Sequence, residues 1–469
     1  MAGSAPLRRP SSHHEEQAIS PEHSGMSGPE HETMLGEQQK RFLWTYYTNI
    51  LLGAWLMTGP VTLGSIEPAL AWSDLVSGLL VIPLAVAAMF RRAWAGWALS
   101  FVGIWLLLAP LVFWTTSPAA YANDTVVGSL LIALSVLIPG MPGMGWMPML
   151  GPEIPPGWTY NPSSWLQRGP IIVLAFVGFF ISRYLAAYQL GHISAAWDPF
   201  FGHSTEKVLT SDVSKAWPIS DAGLGAVAYM LEALSGYMGD SRRWRTMPWM
   251  VLMFALLVVP LGATSIILVI LQPLSIGVWC SLCLLAAAGM LLMVPLAVDE
   301  VIAMAQFMRQ SVLAGAPFWR TFWMGGSTEG GGTDKRSPHF PEPKPAVWAP
   351  AMLYGVTVPW TLAVATVLGV WLMGAPSLLG TNGLLAGSEH LVGALVVTCT
   401  VIAWAEVTRS VRWLNVLFGI WLLTAPWLLA GSTATAIVHD MLVGAVLILL
   451  SLPSGSPKEE YGGWNQYVV

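Results

Sequence analysis

The sequence predicts an all-α polytopic membrane protein: a four-helix bundle set between two pairs of helical-hairpin repeats, with about 12 spans in total. Three observations carry this. Composition is the first: 55% of the 469 residues are hydrophobic and 10% charged, with a mean hydropathy of +0.60. A soluble domain is about a quarter charged. The second is a series of apolar runs, among them residues 171–190, 249–271 and 277–298, each as long as the ~20 residues that cross a bilayer. The third is a pattern that recurs at one period, twice before the central runs and twice after them. The net charge of −5 says little about partners.

Residues 1–41 carry Pro, Ser, His and Glu without an apolar run. A disordered cytoplasmic tail is expected there, with no cleavable signal peptide. His13, His14, His23 and His31 are read as part of that solvated tail rather than as metal ligands.

The repeats occupy residues 42–139 and 348–453. The first reads Gly53-x-Trp55-Leu56, Pro60, then Asp74-x-x-x-Gly78; 50 residues on come Gly103-x-Trp105-Leu106, Pro110 and Asp124-x-x-x-Gly128. The pattern returns as Gly369-x-Trp371-Leu372, Pro376, Glu389 and Gly393, and again as Gly419-x-Trp421-Leu422, Pro426, Asp440 and Gly444. Each copy reads as a hairpin. Small Gly residues let helices approach closely in lipid, Trp suits the membrane interface, and Pro ends or kinks the first helix. The acid is expected to open the second helix, capping free N–H groups at the positive end of the dipole. His390 and His439 stand beside two of these acids. No second ligand recurs at fixed spacing, so capping is preferred to an ion site and no metal is expected. The units resemble the SPW repeat of bacterial membrane proteins, named for a Ser-Pro-Trp step. That step reads Gly59-Pro60-Val61, Ala109-Pro110-Leu111, Ala375-Pro376-Ser377 and Ala425-Pro426-Trp427 here, so only the Pro is common to all copies. The resemblance implies architecture and no chemistry.

Pro- and Gly-rich joints, "GMPGMGWMPMLGPEIPPG" from 140 and "GGSTEGGGTDKRSPHFPEPKP" from 325, are expected to be flexible and cytoplasmic. They set linkers at 140–164 and 317–347 around a central unit at 165–316, with a tail at 454–469. With the N-terminus in the cytoplasm and the spans alternating, 18 of the 21 Lys and Arg residues fall inside, as the positive-inside rule requires. Lys207 and Lys215 fall outside, and Arg183 lies within a span, read as snorkelling to the outer interface. Both termini are then cytoplasmic, and Cys280 lies at the extracytoplasmic end of its helix.

The central unit holds four spans and two of the chain's 3 cysteines, in "WCSLCL". Cys280 and Cys283 share a helix face. Cys also packs well as a small apolar residue, so packing and redox readings both stand. Scarcity of Cys, the C-x-x-C spacing and a position facing an oxidising compartment favour redox chemistry. A single pair is half a zinc site. Cys399, mid-span in a repeat, is read as packing. Between the first two spans, "GHSTEKVLTSDVSKAW" has an amphipathic spacing and reads as a short helix on the membrane face. Few intramembrane charges occur, which argues against a transporter.

This unit resembles the vitamin K epoxide reductase family, over about residues 165–300. The resemblance rests on the four spans, the outer half-helix, "TEKVLTSDVSKAWPISDAGLGAVAY" with its Gly225 and Tyr229, and "WCSLCL". It implies a bacterial cytoplasmic (inner) membrane thiol/disulfide oxidoreductase that passes electrons from extracytoplasmic thiols to a membrane quinone, menaquinone or ubiquinone. Cys283 matches the thiol facing the quinone, and Cys280 the thiol that exchanges with a loop or partner cysteine. Ser220 or Asp221 falls near a quinone contact. The chain departs from the family where Thr205 stands in place of the second loop cysteine, where "SAAWDPFFG" holds no first one, and where Ala287 replaces a tyrosine. The implied donor is then a thiol on another protein, of thioredoxin-like type. The alternative is a redox-degenerate member acting as a membrane scaffold or quinone-binding module.

Overall fold

The computed structural model describes Lys40 and residues 42–64, 67–90, 92–137, 151–337, 345–453 and 455–468. The expected histidine-bearing tail lies outside the described residues, as do 138–150 and 338–344 of the joints.

Each repeat folds as an antiparallel helix pair because its apolar residues surround a glycine seam. The first bundle comprises α1 (Leu43–Thr62), α2 (Pro68–Met89), α3 (Ala93–Val112) and α4 (Pro118–Val136). A Cβ added to Gly78 would come within 2.5 Å of the Gly53 carbonyl oxygen, and one on Gly128 within 2.6 Å of that of Gly103. Only glycine permits this approach. The prolines do end the first helix of each hairpin: α1 stops two residues after Pro60, α3 two after Pro110.

The central unit adds α5 (Trp165–Gln189), the short α6 (Ser204–Leu209) and α7 (Asp212–Lys215), then α8 (Asp221–Tyr237). A single turn, α9 (Arg243–Thr246), leads to α10 (Pro248–Leu271), α11 (Ser281–Leu313) and α12 (Phe318–Met324). The last bundle follows α13 (Pro345–Ala351) as α14 (Trp360–Leu379), α15 (Gly383–Ile402), α16 (Leu414–Leu428) and α17 (Ala434–Ser451). The first bundle packs on α8, with Leu107 and Leu111 joining Ala226, Met230 and Phe254 in the main core. The last bundle packs through α15 on α10 and α11. Both repeat bundles therefore pack directly on the central four helices.

Among the described residues, 10 helices are long and apolar enough to cross a membrane, fewer than the 12 expected. The other two helices of the pattern are α1, whose first turns carry Thr45, Tyr46, Thr48 and Asn49, and α8, which has 17 residues including Asp221 and Glu232. Both are nonetheless packed lengthwise in hairpin-like pairs, α1 on α2 and α8 on α5.

Three expectations need correction. The repeat acids do not cap. The second helices begin earlier, at Pro68, Pro118, Gly383 and Ala434, so Asp74, Asp124, Glu389 and Asp440 lie inside them and are fully buried. Ser117 and Thr433 are the capping side chains of α4 and α17. Arg183 does not snorkel: its guanidinium donates to Thr125 Oγ1 at 2.8 Å and lies 4.3 Å from the Tyr121 ring centre, tying α5 to α4. Nor are the described parts of the joints loose. Ile154 bridges to Gly332, Gly326 accepts a hydrogen bond from Arg245, and Trp158 bridges to Tyr461 in the C-terminal tail.

These segments build a polar cap over the end of the bundle opposite Cys280. Trp158, Tyr160, Trp244 and Tyr461 are buried together there. Arg243, with no exposure, pairs with Glu300 at 2.6 Å, and Tyr461 donates to Glu406 at 2.9 Å. Burial, with Asp299 and Glu406 nearby, pushes the Tyr461 phenol far above its ordinary range. It therefore stays a donor.

Candidate redox site

The chain turns sharply before α11. A π-helical turn, Gln272–Ile276, extends α10, and Gly277 closes it at φ 76°, where a side chain would be strained. Cys280 is then the N-cap of α11 and Cys283 lies in its first turn. The two are joined in a disulfide, with their Cα atoms 5.3 Å apart. The Cys280 amide donates to Gln272 Oε1 at 2.9 Å, and its sulfur accepts from the Cys283 amide at 3.1 Å. Sulfur at a helix N-terminus meets the positive end of the dipole, which favours a thiolate on reduction.

Cys280 is fully buried. Its cover is the loop between α5 and α8. Thr205 of α6, also without exposure, places Oγ1 3.5 Å from Cys280 Sγ and donates to Asp198 Oδ2 at 2.6 Å. The position aligned with the second loop cysteine is thus in contact with the Cys280–Cys283 disulfide, but holds a hydroxyl. Asp198 anchors the loop. Its Oδ1 accepts from the amides of Phe200 and Phe201 at 3.0 and 2.9 Å and from the Ser281 hydroxyl, and Oδ2 accepts from the Ser281 amide at 3.2 Å. Burial raises the Asp198 carboxyl, but the bonds from Ser281, Thr205, Phe201 and Phe200 outweigh it and hold the group far below the usual carboxylate range. A fixed anion therefore pins the roof to the first turn of the redox helix.

The roof is two short helices rather than the single one expected, because Ser211 caps α7 and breaks the run. Beneath it, Gln189 organises the other predicted contacts. Its amide nitrogen donates to Ser214 Oγ at 2.7 Å and to Asp221 Oδ1 at 2.5 Å, and its oxygen accepts from Ser220. Ser220 also caps α8, accepting from the Gly223 amide at 2.9 Å. A cavity of 410 Å³ opens beside this network, walled by Trp114, Tyr188, Leu209 and Trp217, with Gln189 and Ser220 at its polar edge. Leu209 also packs in the cluster that holds Cys283, which is half-buried among Leu185, Ala196 and Ala222.

Cys280, Cys283, Thr205, Ser220 and Asp221 all lie at this one end of the bundle. Sequence reasoning missed Asp198, Gln189 and Gln272. Asp198 had a legible signal, since an Asp before Pro favours a turn closed by its own carboxylate. Gln189 and Gln272 had none, because their partners lie on other elements.

Comparison with known proteins agrees with this division. Residues 170–298 match the family model of the vitamin K epoxide reductase family, and residues 43–138 and 359–454 match that of the SPW repeat domain. A segment similar to the first family thus lies between two segments similar to the second. No curated protein and no solved structure is matched.

Proposed function

We propose that the central unit is a quinone-linked thiol/disulfide oxidoreductase whose redox pair is Cys280–Cys283. The observation that carries this is the disulfide at the N-terminus of α11, beneath an anchored loop, in the segment matched by an oxidoreductase family. A partner dithiol attacks the disulfide, and a mixed disulfide with Cys280 forms as Cys283 leaves as a thiolate. The partner's second thiol resolves it. The partner is oxidised, and Cys280 and Cys283 hold two electrons and two protons. Transfer of both pairs to a quinone reforms the disulfide and yields quinol.

This chain's residues would serve three roles. The α11 dipole and the Cys283 amide stabilise thiolate at Cys280. The Asp198–Thr205 contact closes the roof, so exchange with a partner requires the loop to lift. The cavity beside Ser220 and Gln189 has the apolar walls and polar edge suited to a quinone ring. Its polar edge is tied to Asp221 through Gln189.

The membrane is read as the bacterial cytoplasmic membrane, with the redox end extracytoplasmic and the donor a thioredoxin-like protein. A Cys283→Ala variant should trap a mixed disulfide at Cys280 with such a partner, and Cys280→Ala should trap none. If neither traps a partner while an added dithiol still reduces the native pair, no protein donor serves the site. The second reading, a redox-degenerate scaffold, is favoured by one feature: the hydroxyl of Thr205 at the place of a relay thiol.

A further inference from the structure

The repeat acids meet in pairs between the hairpins of each flanking bundle, within the first two turns of the second helices. Each pair is framed by the same crossed contacts. Trp105 donates to Ser73 at 2.9 Å, and Trp55 to Asn123 at 2.8 Å. Trp421 donates to Ser388 at 2.8 Å, and Trp371 to His439 at 2.8 Å. Each Trp therefore reaches the residue just before the acid of the other hairpin, and the acids are turned toward one another.

In the last bundle, oxygens of Glu389 and Asp440 lie within 4.8 Å of each other and of a His439 nitrogen. Both acids have no exposure, yet neither Glu389 oxygen nor Asp440 Oδ2 has a hydrogen-bond partner within 3.5 Å. Thr381, 4% exposed, faces the Glu389 carboxylate, and its hydroxyl too has no partner within 3.5 Å. His439 is fully engaged. An indole N–H can only donate, so His439 Nε2 is the acceptor from Trp371. Its Nδ1 then carries the proton and donates to Asp440 Oδ1 at 3.0 Å. The imidazole is neutral and orients Asp440 from behind, as an outer-shell partner does. The atoms left without partners are all oxygens, on two carboxylates and a hydroxyl.

A buried pair of carboxylates without a counter-charge is costly in a membrane. All-oxygen donors with two formal charges suit a hard divalent cation, not zinc or copper. Thr381, together with Ser388 and His390 beside Glu389, lines a groove of 790 Å³ that also reaches Pro273 and Leu274, in the turn before Cys280. The first bundle is an internal comparison. Asp74 and Asp124 show the same unpartnered oxygens, and Asn123 replaces His439, accepting from Trp55 and donating to Asp124 at 3.1 Å. Thr115, at the repeat position of Thr381, instead donates to Glu67 at 2.6 Å. Among the described residues, only the last bundle sets a spare hydroxyl beside its acids.

We propose that Glu389, Asp440 and Thr381 form a binding site for a hard divalent cation, Ca2+ or Mg2+, at the redox end of the last bundle. The test uses the full chain in detergent, stripped with a chelator and held at constant ionic strength. Titration with CaCl2 or MgCl2 should raise the melting temperature saturably, and elemental analysis after dialysis should find one ion per chain. Glu389→Gln, close in shape to the native side chain, should lose both effects. His439→Leu should weaken binding by about 10-fold or more, and His439→Asn should retain it, since Asn fills that role in the first bundle. Asp124→Asn should also leave binding intact. The proposal is overturned if neither ion shifts the wild-type melting temperature or is retained after dialysis; the acids then share a proton. Binding that survives Glu389→Gln but disappears in Asp124→Asn overturns it as well.

Discussion

Asp198 shows how one side chain can anchor the cover of a disulfide that it does not touch. It joins three stretches of chain: its own turn, Thr205 on the roof, and Ser281 at the start of the redox helix. Its folded-state carboxyl lies well below the ordinary value. Such a group stabilises the fold above its unfolded pKa, about 4, and the contribution is lost as pH falls toward the folded value. Asp198→Asn should therefore lower stability by about 1–3 kcal/mol near neutral pH. The difference from wild type should shrink as pH drops below about 4. Melting temperature against pH checks this, and a pH-independent gap would mean that the charge contributes nothing. At this scale the sequence was uneven. Cys280 and Cys283 were legible from scarcity and spacing, and Thr205 from alignment to a family pattern. The anchoring groups were not, because hydrogen bonds between loops leave no periodic trace.

Among the elements, the repeats were the most legible, because glycine, tryptophan and proline recur at a fixed offset. Their acids were misread, since sequence places Asp74 near the start of a helix but not where that helix starts. Pro68 begins α2 six residues earlier and moves Asp74 inward. Pairing of acids between hairpins was invisible for a related reason: period describes one hairpin, and the pairing arises between two. The glycine seam gives the sharpest test. Gly78→Leu would drive a side chain into the Gly53 carbonyl and the Met57 side chain. Overpacking of this kind costs about 1–3 kcal/mol, so the variant should melt earlier than wild type. Gly64→Ala, which meets no atom within 4 Å but sits at φ 83°, should show only the smaller backbone penalty. Equal effects of the two would contradict close packing at the seam.

Over the whole molecule, the least expected feature is the cap that ties both joints and the C-terminal tail to the central unit. Composition read the joints as loose because Pro and Gly dominate them. The structure instead uses those residues as turns, with Trp158, Tyr160 and Tyr461 as the packing side chains. Arg336 of the second joint pairs with Glu459 of the tail at 2.6 Å. Removing residues 455–469 should therefore expose the 325–337 segment to protease in a chain that resists cleavage there when intact, as limited proteolysis with mass mapping would show. The cap packs at one end of the central unit and the roof at the other, where it covers the Cys280–Cys283 disulfide at the start of α11. The central claim, that this pair carries electrons to quinone, is tested most directly by quinone reduction with added dithiol in lipid vesicles holding the purified full chain. Wild type should turn over, and both Cys280→Ala and Cys283→Ala should abolish turnover. Quinone reduction no faster than that of protein-free vesicles, or equal rates in wild type and both variants, would contradict it and leave the disulfide a structural link.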